Sequence, residues 1–195
     1  MNKRKPCLVV IDMINGFIFE GALSDQSINS ITSNISDLSK KFIEKEYPIL
    51  NFRDSHQKES KEFGAFPPHC LEGTSESQLI DALKPYENHM VTILKNSTNG
   101  FMAPKFLETF NALDCDEYIC VGCCTDICVL QFAISLQSYI NEHNLDIKVT
   151  VVQDSVETFG MPGHSQNEYN KMAFSILRGA GIYIAESAKE ICNGL

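Results

Sequence analysis

The chain has 195 residues, enough for one domain with a substantial core, and an ordinary globular composition of 44% hydrophobic and 21% charged residues. Its net charge of −9 argues against nucleic acid as a partner, because phosphate binding leans on clustered lysine and arginine, and the basic start Lys3, Arg4, Lys5 is too short for a binding arm. No apolar run approaches the ~20 residues of a membrane span, and the N-terminus lacks a secretory apolar segment, which points to a reducing cytoplasm where the eight cysteines stay thiols.

In chain order, PCLVVID (6–12) is a continuous apolar, β-branched run and reads as a buried parallel strand. Residues 25–46 read as one helix: Ile28, Ile31, Ile35, Leu38, Phe42 and Ile43 recur at spacings of three and four, with Ser24 or Asp25 as N-cap. YPILNFR (47–53) is a second strand. An irregular segment rich in Gly, Pro and charge follows over 54–76, long enough to suggest function. HMVTILK (89–95) and EYICVGC (117–123) read as strands three and four, and 126–142 as the helix after them. DIKVTVVQD (146–154) is strand five, 165–179 a helix, and GIYIAE (181–186) strand six. Strands alternating with helices imply a single α/β domain over 1–195: a three-layer α/β/α sandwich around a mainly parallel, Rossmann-like sheet of about six strands.

Ligands of such sheets sit beyond the carboxyl ends of the strands. Three reactive residues fall there: Asp12 closes strand one, Lys95 closes strand three, and Cys128 lies just past strand four. Cys128 belongs to VGCCTDICV (121–129), which has three cysteines in six positions. A structural zinc site wants its thiolate pairs on turns, whereas Cys120 and Cys123 lie in or at the end of an apolar strand. Inert packing accounts for Cys7, Cys115, Cys120 and Cys192. Thr125 and Asp126 are good N-cap types and would put Cys128 in the first turn of a helix, whose free N–H groups favour a thiolate. Position alone leaves a reactive and a merely buried Cys128 both open.

Asp54 and His56 are two apart, so in an extended chain they project from one face, and His69 follows two stiffening prolines. Carboxylate and imidazole suit Zn²⁺, Fe²⁺ or Mn²⁺. Taken alone, such residues on a loop are more often simply surface groups. His89, His143 and His164 read as structural or surface residues.

VVIDMINGF, FRDSH, FPPHCLEGT, LKNSTNGF and VGCCTDICV occur in the order found in the isochorismatase-like cysteine hydrolases, and the set most resembles the nicotinamidases. The resemblance runs from strand one to at least strand five. It implies a catalytic triad at Asp12, Lys95 and Cys128, and an oxyanion hole from the backbone N–H groups of Cys124 and Cys128, with a cis peptide at Cys123–Cys124. It implies one divalent metal, zinc first and iron or manganese as alternatives, held by Asp54, His56, a third ligand and His69. The third ligand is Glu62 or Glu59. Phe17 and Phe66, and more weakly Phe101, match pocket positions around a pyridine ring.

The implied activity is hydrolysis of nicotinamide to nicotinate and ammonia in NAD salvage, with pyrazinamide as an accidental substrate and a homo-oligomer as the expected assembly. Two departures touch the pocket wall: Gly16 stands where many relatives carry an acid, and the segment from Lys95 to Phe101 is short. They leave another small amide, urea or carbamoyl compound open as substrate. A thiol-rich redox sensor or zinc buffer is the non-enzymatic alternative, but it would leave Asp12 and Lys95 unexplained.

Overall fold

The computed structural model describes residues 5–195, so Lys3 and Arg4 of the basic start lie outside the described residues. Six strands, β1 (Pro6–Ile11), β2 (Ile49–Asp54), β3 (Val91–Lys95), β4 (Glu117–Cys123), β5 (Lys148–Glu157) and β6 (Tyr183–Ala185), form one sheet in the order β3-β2-β1-β4-β5-β6. Every neighbouring pair is parallel. The helices are a single turn α1 (Asn15–Ile18), then α2 (Thr32–Glu44), α3 (Phe106–Ala112), α4 (Leu130–Glu142), α5 (Gln166–Gly179) and α6 (Ala188–Gly194). No helix of the described residues is long and apolar enough to cross a membrane.

β1 is buried along its whole length, and its alternation divides the core between two faces. Leu8 and Val10 pack with Ile35, Leu38 and Phe42 of α2 and Ile191 of α6. Cys7, Val9 and Ile11 pack with Phe106 of α3, Phe132 and Leu136 of α4, and Leu177 of α5. These are the outer layers of an α/β/α sandwich. Strand order reverses between β1 and β4, which leaves a crevice beyond their carboxyl ends. Gly122 adjoins that crevice with φ +115°, and a Cβ there would meet the Ile11 carbonyl at 2.0 Å, so only glycine lets β4 run this close to β1.

The helix expected over 25–46 is interrupted. Asp25 accepts from the Ser27 N–H and caps a 3₁₀ segment, Gln26–Ile31, and the α-helix starts only at Thr32. The same apolar stripe serves both pieces, which is why periodicity alone ran them together. The helix expected from 126 starts with a π-type turn, Thr125–Val129, in which the Cys124 carbonyl accepts from the N–H groups of Ile127 and Val129. No side chain caps it. β5 continues to Glu157, past the polar Gln153 and Asp154, with a register shift against β4 between Cys120 and Gly122. The irregular segment after β2 holds two short 3₁₀ turns, Lys61–Gly64 and Ser75–Ser77.

Candidate active site

Asp12 follows β1 with φ +54° and is fully buried. Its N–H donates to the Phe52 carbonyl, and its Oδ1 accepts from the Asp54 N–H at 3.0 Å. Asp54 and Lys95 are register partners at the ends of β2 and β3. Parallel pairing therefore sets the Lys95 ammonium between two carboxylates, 2.7 Å from Asp12 Oδ2 and 2.5 Å from Asp54 Oδ1. Lys95 is 2% exposed and also donates to the Ser97 carbonyl. Cys128 Sγ lies 3.9 Å from Lys95 Nζ, and one carboxylate oxygen each of Asp12 and Asp54 lies within 4.8 Å of that sulfur and of the other. The structure thus brings Asp12, Lys95 and Cys128 together from three strand ends.

Burial dominates the protonation of this group. It pushes the Asp12 carboxyl up to about 7 against the pull of Lys95. Burial opposes the charge on Lys95, but Asp12 and Asp54 outweigh it and hold the ammonium firmly protonated. Cys128 differs from the expectation of a helix-stabilised thiolate. It sits on the π-type turn, 4% exposed, and burial pushes its thiol well up despite Lys95. Burial thus favours the thiol over the thiolate, with the Asp12 carboxyl and the Lys95 ammonium beside it.

The peptide bond Cys123–Cys124 is cis. The Cys123 thiol, which sequence reasoning left without a role, donates to the Asp12 carbonyl at 3.2 Å and helps to fix the backbone that carries this carboxylate. Among the described residues, no group of metal-capable side chains contains more than one of the clustered thiols. Cys7 and Cys120 are packed in the core, whereas Cys115 and Cys192 are only half-buried.

A second cluster adjoins the first and shares Asp54. One ligand atom from each of Asp54, His56, Glu62 and His69 lies within 4.8 Å of all the others. The local chain explains the assembly. His56 N–H donates to the Cys70 carbonyl and Glu72 N–H to the His56 carbonyl, which seats His69 beside His56 with ring centroids 4.5 Å apart. His56 Nδ1 faces Asn96 Oδ1 and His69 Nδ1 faces the Pro67 carbonyl, so both Nε2 atoms point into the cluster. Glu62 Oε2 accepts from the Thr98 N–H, which aims Oε1 inward; Glu59 is exposed and outside the group.

Within the cluster, His56 Nε2 is 3.5 Å from Asp54 Oδ2 and 3.6 Å from Glu62 Oε1, while His69 Nε2 is 3.8 and 3.9 Å from the same oxygens. Asp54 Oδ2, His56 Nε2 and Glu62 Oε1 are buried without a hydrogen-bond partner. Three orphaned buried atoms facing one point are costly unless something binds them. Carboxylate oxygens and imidazole nitrogens gathered in this way are the donor types of a divalent transition-metal or zinc site. The donor set fits one divalent cation.

Both clusters open into a cavity of about 700 Å³ whose lining includes Phe17, Phe66, His69, Cys124, Cys128 and Phe159. Phe17 and Phe66 approach the His69 ring at 5.7 and 6.1 Å, and Phe63 packs on both histidines. Phe101 does not line this cavity. Its ring packs on Phe106 and Tyr139, because the short segment after Lys95 turns at Asn99–Gly100 and carries Phe101 onto the helical layer. At Gly16, a Cβ would meet Cys70 Sγ at 2.4 Å and the Glu76 carbonyl at 3.0 Å, so any side chain there requires its neighbours to shift.

His164 is held as a structural residue, in keeping with its sequence reading, but its pairing with Asp126 was not visible in the sequence. Asp126 caps nothing: its two carboxylate oxygens bind the Thr158 hydroxyl at 2.5 Å and His164 Nε2 at 2.9 Å. The Pro162-Gly163 pair signalled a turn, but no local pattern could reveal its partner across 38 residues.

An isochorismatase domain matches residues 6–186. Nicotinamidase 1 of Arabidopsis thaliana is 29% identical over 199 residues, spanning 92% of this chain and 81% of that protein. A nicotinamidase structure from Bacillus subtilis superposes with a TM-score of 0.78 at 26% identity, covering 93% of this chain and 99% of its own. The pyrazinamidase of Pyrococcus horikoshii, solved in complex with zinc, superposes with a TM-score of 0.76 over 93% of this chain and 99% of its own; at 21% identity that likeness speaks for the fold.

Proposed function

The chain belongs to the isochorismatase family of hydrolases, and on that premise we propose that it is a metal-dependent cysteine amidohydrolase that converts nicotinamide to nicotinate and ammonia. The observation that carries the proposal is that a buried acid and ammonium meet a thiol beside four inward-facing metal-type donors, where Cys128, Asp54, Glu62 and His69 reach one cavity together with Phe17 and Phe66.

Each step falls to a residue in place. Asp12 takes the Cys128 thiol proton while Lys95 holds the positive charge that keeps carboxylate and nascent thiolate together. The sulfur attacks the carboxamide carbon, and the backbone N–H groups of Cys124 and Cys128 receive the developing oxyanion. Asp12 passes its proton to the amide nitrogen, so that ammonia leaves and a thioester remains, because an unprotonated amide nitrogen is a poor leaving group. Asp12 then takes a proton from water, the hydroxide displaces the sulfur, and the acid product departs as Cys128 recovers its proton. Asp54, His56, Glu62 and His69 would hold the divalent cation, zinc first, which supplies a Lewis-acid position for the pyridine nitrogen. Phe17 and Phe66 give the ring its apolar walls.

Placement in NAD salvage, as a single-domain cytoplasmic enzyme, extends the same proposal. Ammonia release from a panel of small amides tests it, with wild type and Cys128→Ala each measured before and after chelation. Turnover of nicotinamide that depends on Cys128 and on the metal is expected. If nicotinamide stays intact while another amide, urea or carbamoyl compound is hydrolysed, the substrate is wrong and the machinery stands. Full activity of Cys128→Ala would overturn the mechanism.

A further inference from the structure

The cavity's outer wall is the segment from Thr158 to His164, which contributes Phe159, Gly160 and Met161 to the lining. Its tip is a two-residue turn. Met161 and His164 exchange both backbone hydrogen bonds, at 3.1 and 2.9 Å, across Pro162 and Gly163, and Gly163 supplies φ +85°. That turn folds the His164 side chain back beneath the wall. The imidazole lies between the Phe159 and Tyr169 rings, at centroid distances of 3.9 and 3.6 Å and interplanar angles of 9° and 26°. Nδ1 faces the Phe159 carbonyl at 3.0 Å and Nε2 faces Asp126 Oδ2 at 2.9 Å.

Both ring nitrogens face acceptors, the Phe159 carbonyl and the Asp126 carboxylate, so the ring serves this pair as the donor. Asp126 stands two residues before Cys128, on the turn that carries the sulfur, and its other oxygen accepts from the Thr158 hydroxyl. This carboxylate ties the wall to the nucleophile turn by hydrogen bonds, and Ile127 of that turn packs against the same apolar cluster as Phe159. The wall is also held by the Gly160 N–H on Asp25, between Phe159 and Met161, and at its base by Gln166 on the Thr158 carbonyl, so the clasp adds to anchors already there.

We propose that His164 is a positioning residue, which with Asp126 clasps the Phe159–Met161 wall over the substrate cavity. It touches no reacting atom. The nucleophile turn keeps its own hydrogen bonds at Cys124, so loss of the clasp loosens the wall and leaves the sulfur in place. This inference rests on the proposed amidohydrolase reading of the cavity.

His164→Phe tests it, because a flat ring stays between Phe159 and Tyr169 while both hydrogen bonds go; His164→Gln, which keeps one donor, stands in if the first variant does not fold. The expected result is a rise in KM of about fivefold to tenfold with kcat within about twofold, the signature of lost ground-state and transition-state binding together. Hydrogen exchange over 158–164, which needs no turnover, should speed up about tenfold with the rest of the chain unchanged. An unchanged KM, or a kcat that falls as far as kcat/KM, overturns the clasp. Unchanged exchange overturns it whatever the substrate is. If wild type leaves nicotinamide intact and hydrolyses another amide, the substrate reading fails by itself, and the KM–kcat split is read on that amide.

Discussion

Buried carboxylates meet lysines at both ends of the sheet, and the two ends treat charge differently. At the amino end, Glu117 opens β4 at 1% exposure, accepts from the Thr150 hydroxyl at 2.6 Å and lies 3.2 Å from Lys148, whose side chain is 46% exposed. Water reaches that cation. At the carboxyl end, Asp12, Asp54 and Lys95 are all buried, and Asp54, His56 and Glu62 each keep an orphaned atom. The first arrangement is a strand start that tolerates an acid. The second concentrates charge where folding alone does not require it, which marks it as a site.

The largest effect should come from removing the buried cation. In Lys95→Met, ammonia release should fall to background, and the metal-free protein should lose about 3 kcal/mol of stability. That is the low end for a broken buried pair, because Asp12, already raised to about 7, can answer by taking up a proton. Denaturant unfolding reads the stability, and a loss below about 1 kcal/mol would mean that the carboxyl end is no more charged than the amino end. Cys128→Ala comes next. Activity should drop at least about a thousandfold, yet thermal stability should change little, since the variant loses only one buried sulfur. A variant that melts far below wild type would instead make Cys128 a packing residue.

The cluster that shares Asp54 gives a smaller, graded effect. Asn96→Ala removes the acceptor facing His56 Nδ1 and leaves every direct donor in place. Affinity for Zn²⁺, measured by competition with a chromophoric chelator, should weaken roughly tenfold, the low end of such outer effects because Asn96 is itself exposed. Unaltered affinity would show that the His56 ring is held by its burial and by Ser60 alone.

Much of this was legible in the chain because the informative residues end strands. A parallel sheet places strand ends on one edge whatever the loops do, so Asp12, Lys95 and the residues just past β4 share that edge. Glu62 could be separated from Glu59 only in three dimensions, where the Thr98 N–H aims one of them inward. The helices α3 and α6, seven residues each, are too short to show a period and went unread. The break at Ile31–Thr32 and the π-type turn at Thr125–Val129 keep the apolar stripe intact, so hydrophobic spacing had nothing to register. His164 and Asp126 were opaque for another reason: stacking and a clasp across 38 residues leave no local trace.

The smallest effect is the one that completes the contrast. Lys148→Met removes the ion pair with Glu117 and the ammonium's contact with the Tyr183 ring, 4.0 Å to the centroid. Both interactions involve a lysine in reach of water, so the loss should be at most about 1 kcal/mol. Glu117 keeps the Thr150 hydroxyl, and Tyr183 keeps its bond to Glu190. Hydrolytic activity should be unchanged, because the site lies at the far end of the strands. Urea unfolding of Lys148→Met and Lys95→Met side by side decides the matter: comparable losses would erase the distinction between the two ends, whereas a gap of about 2 kcal/mol or more would show that water access to the cation separates them.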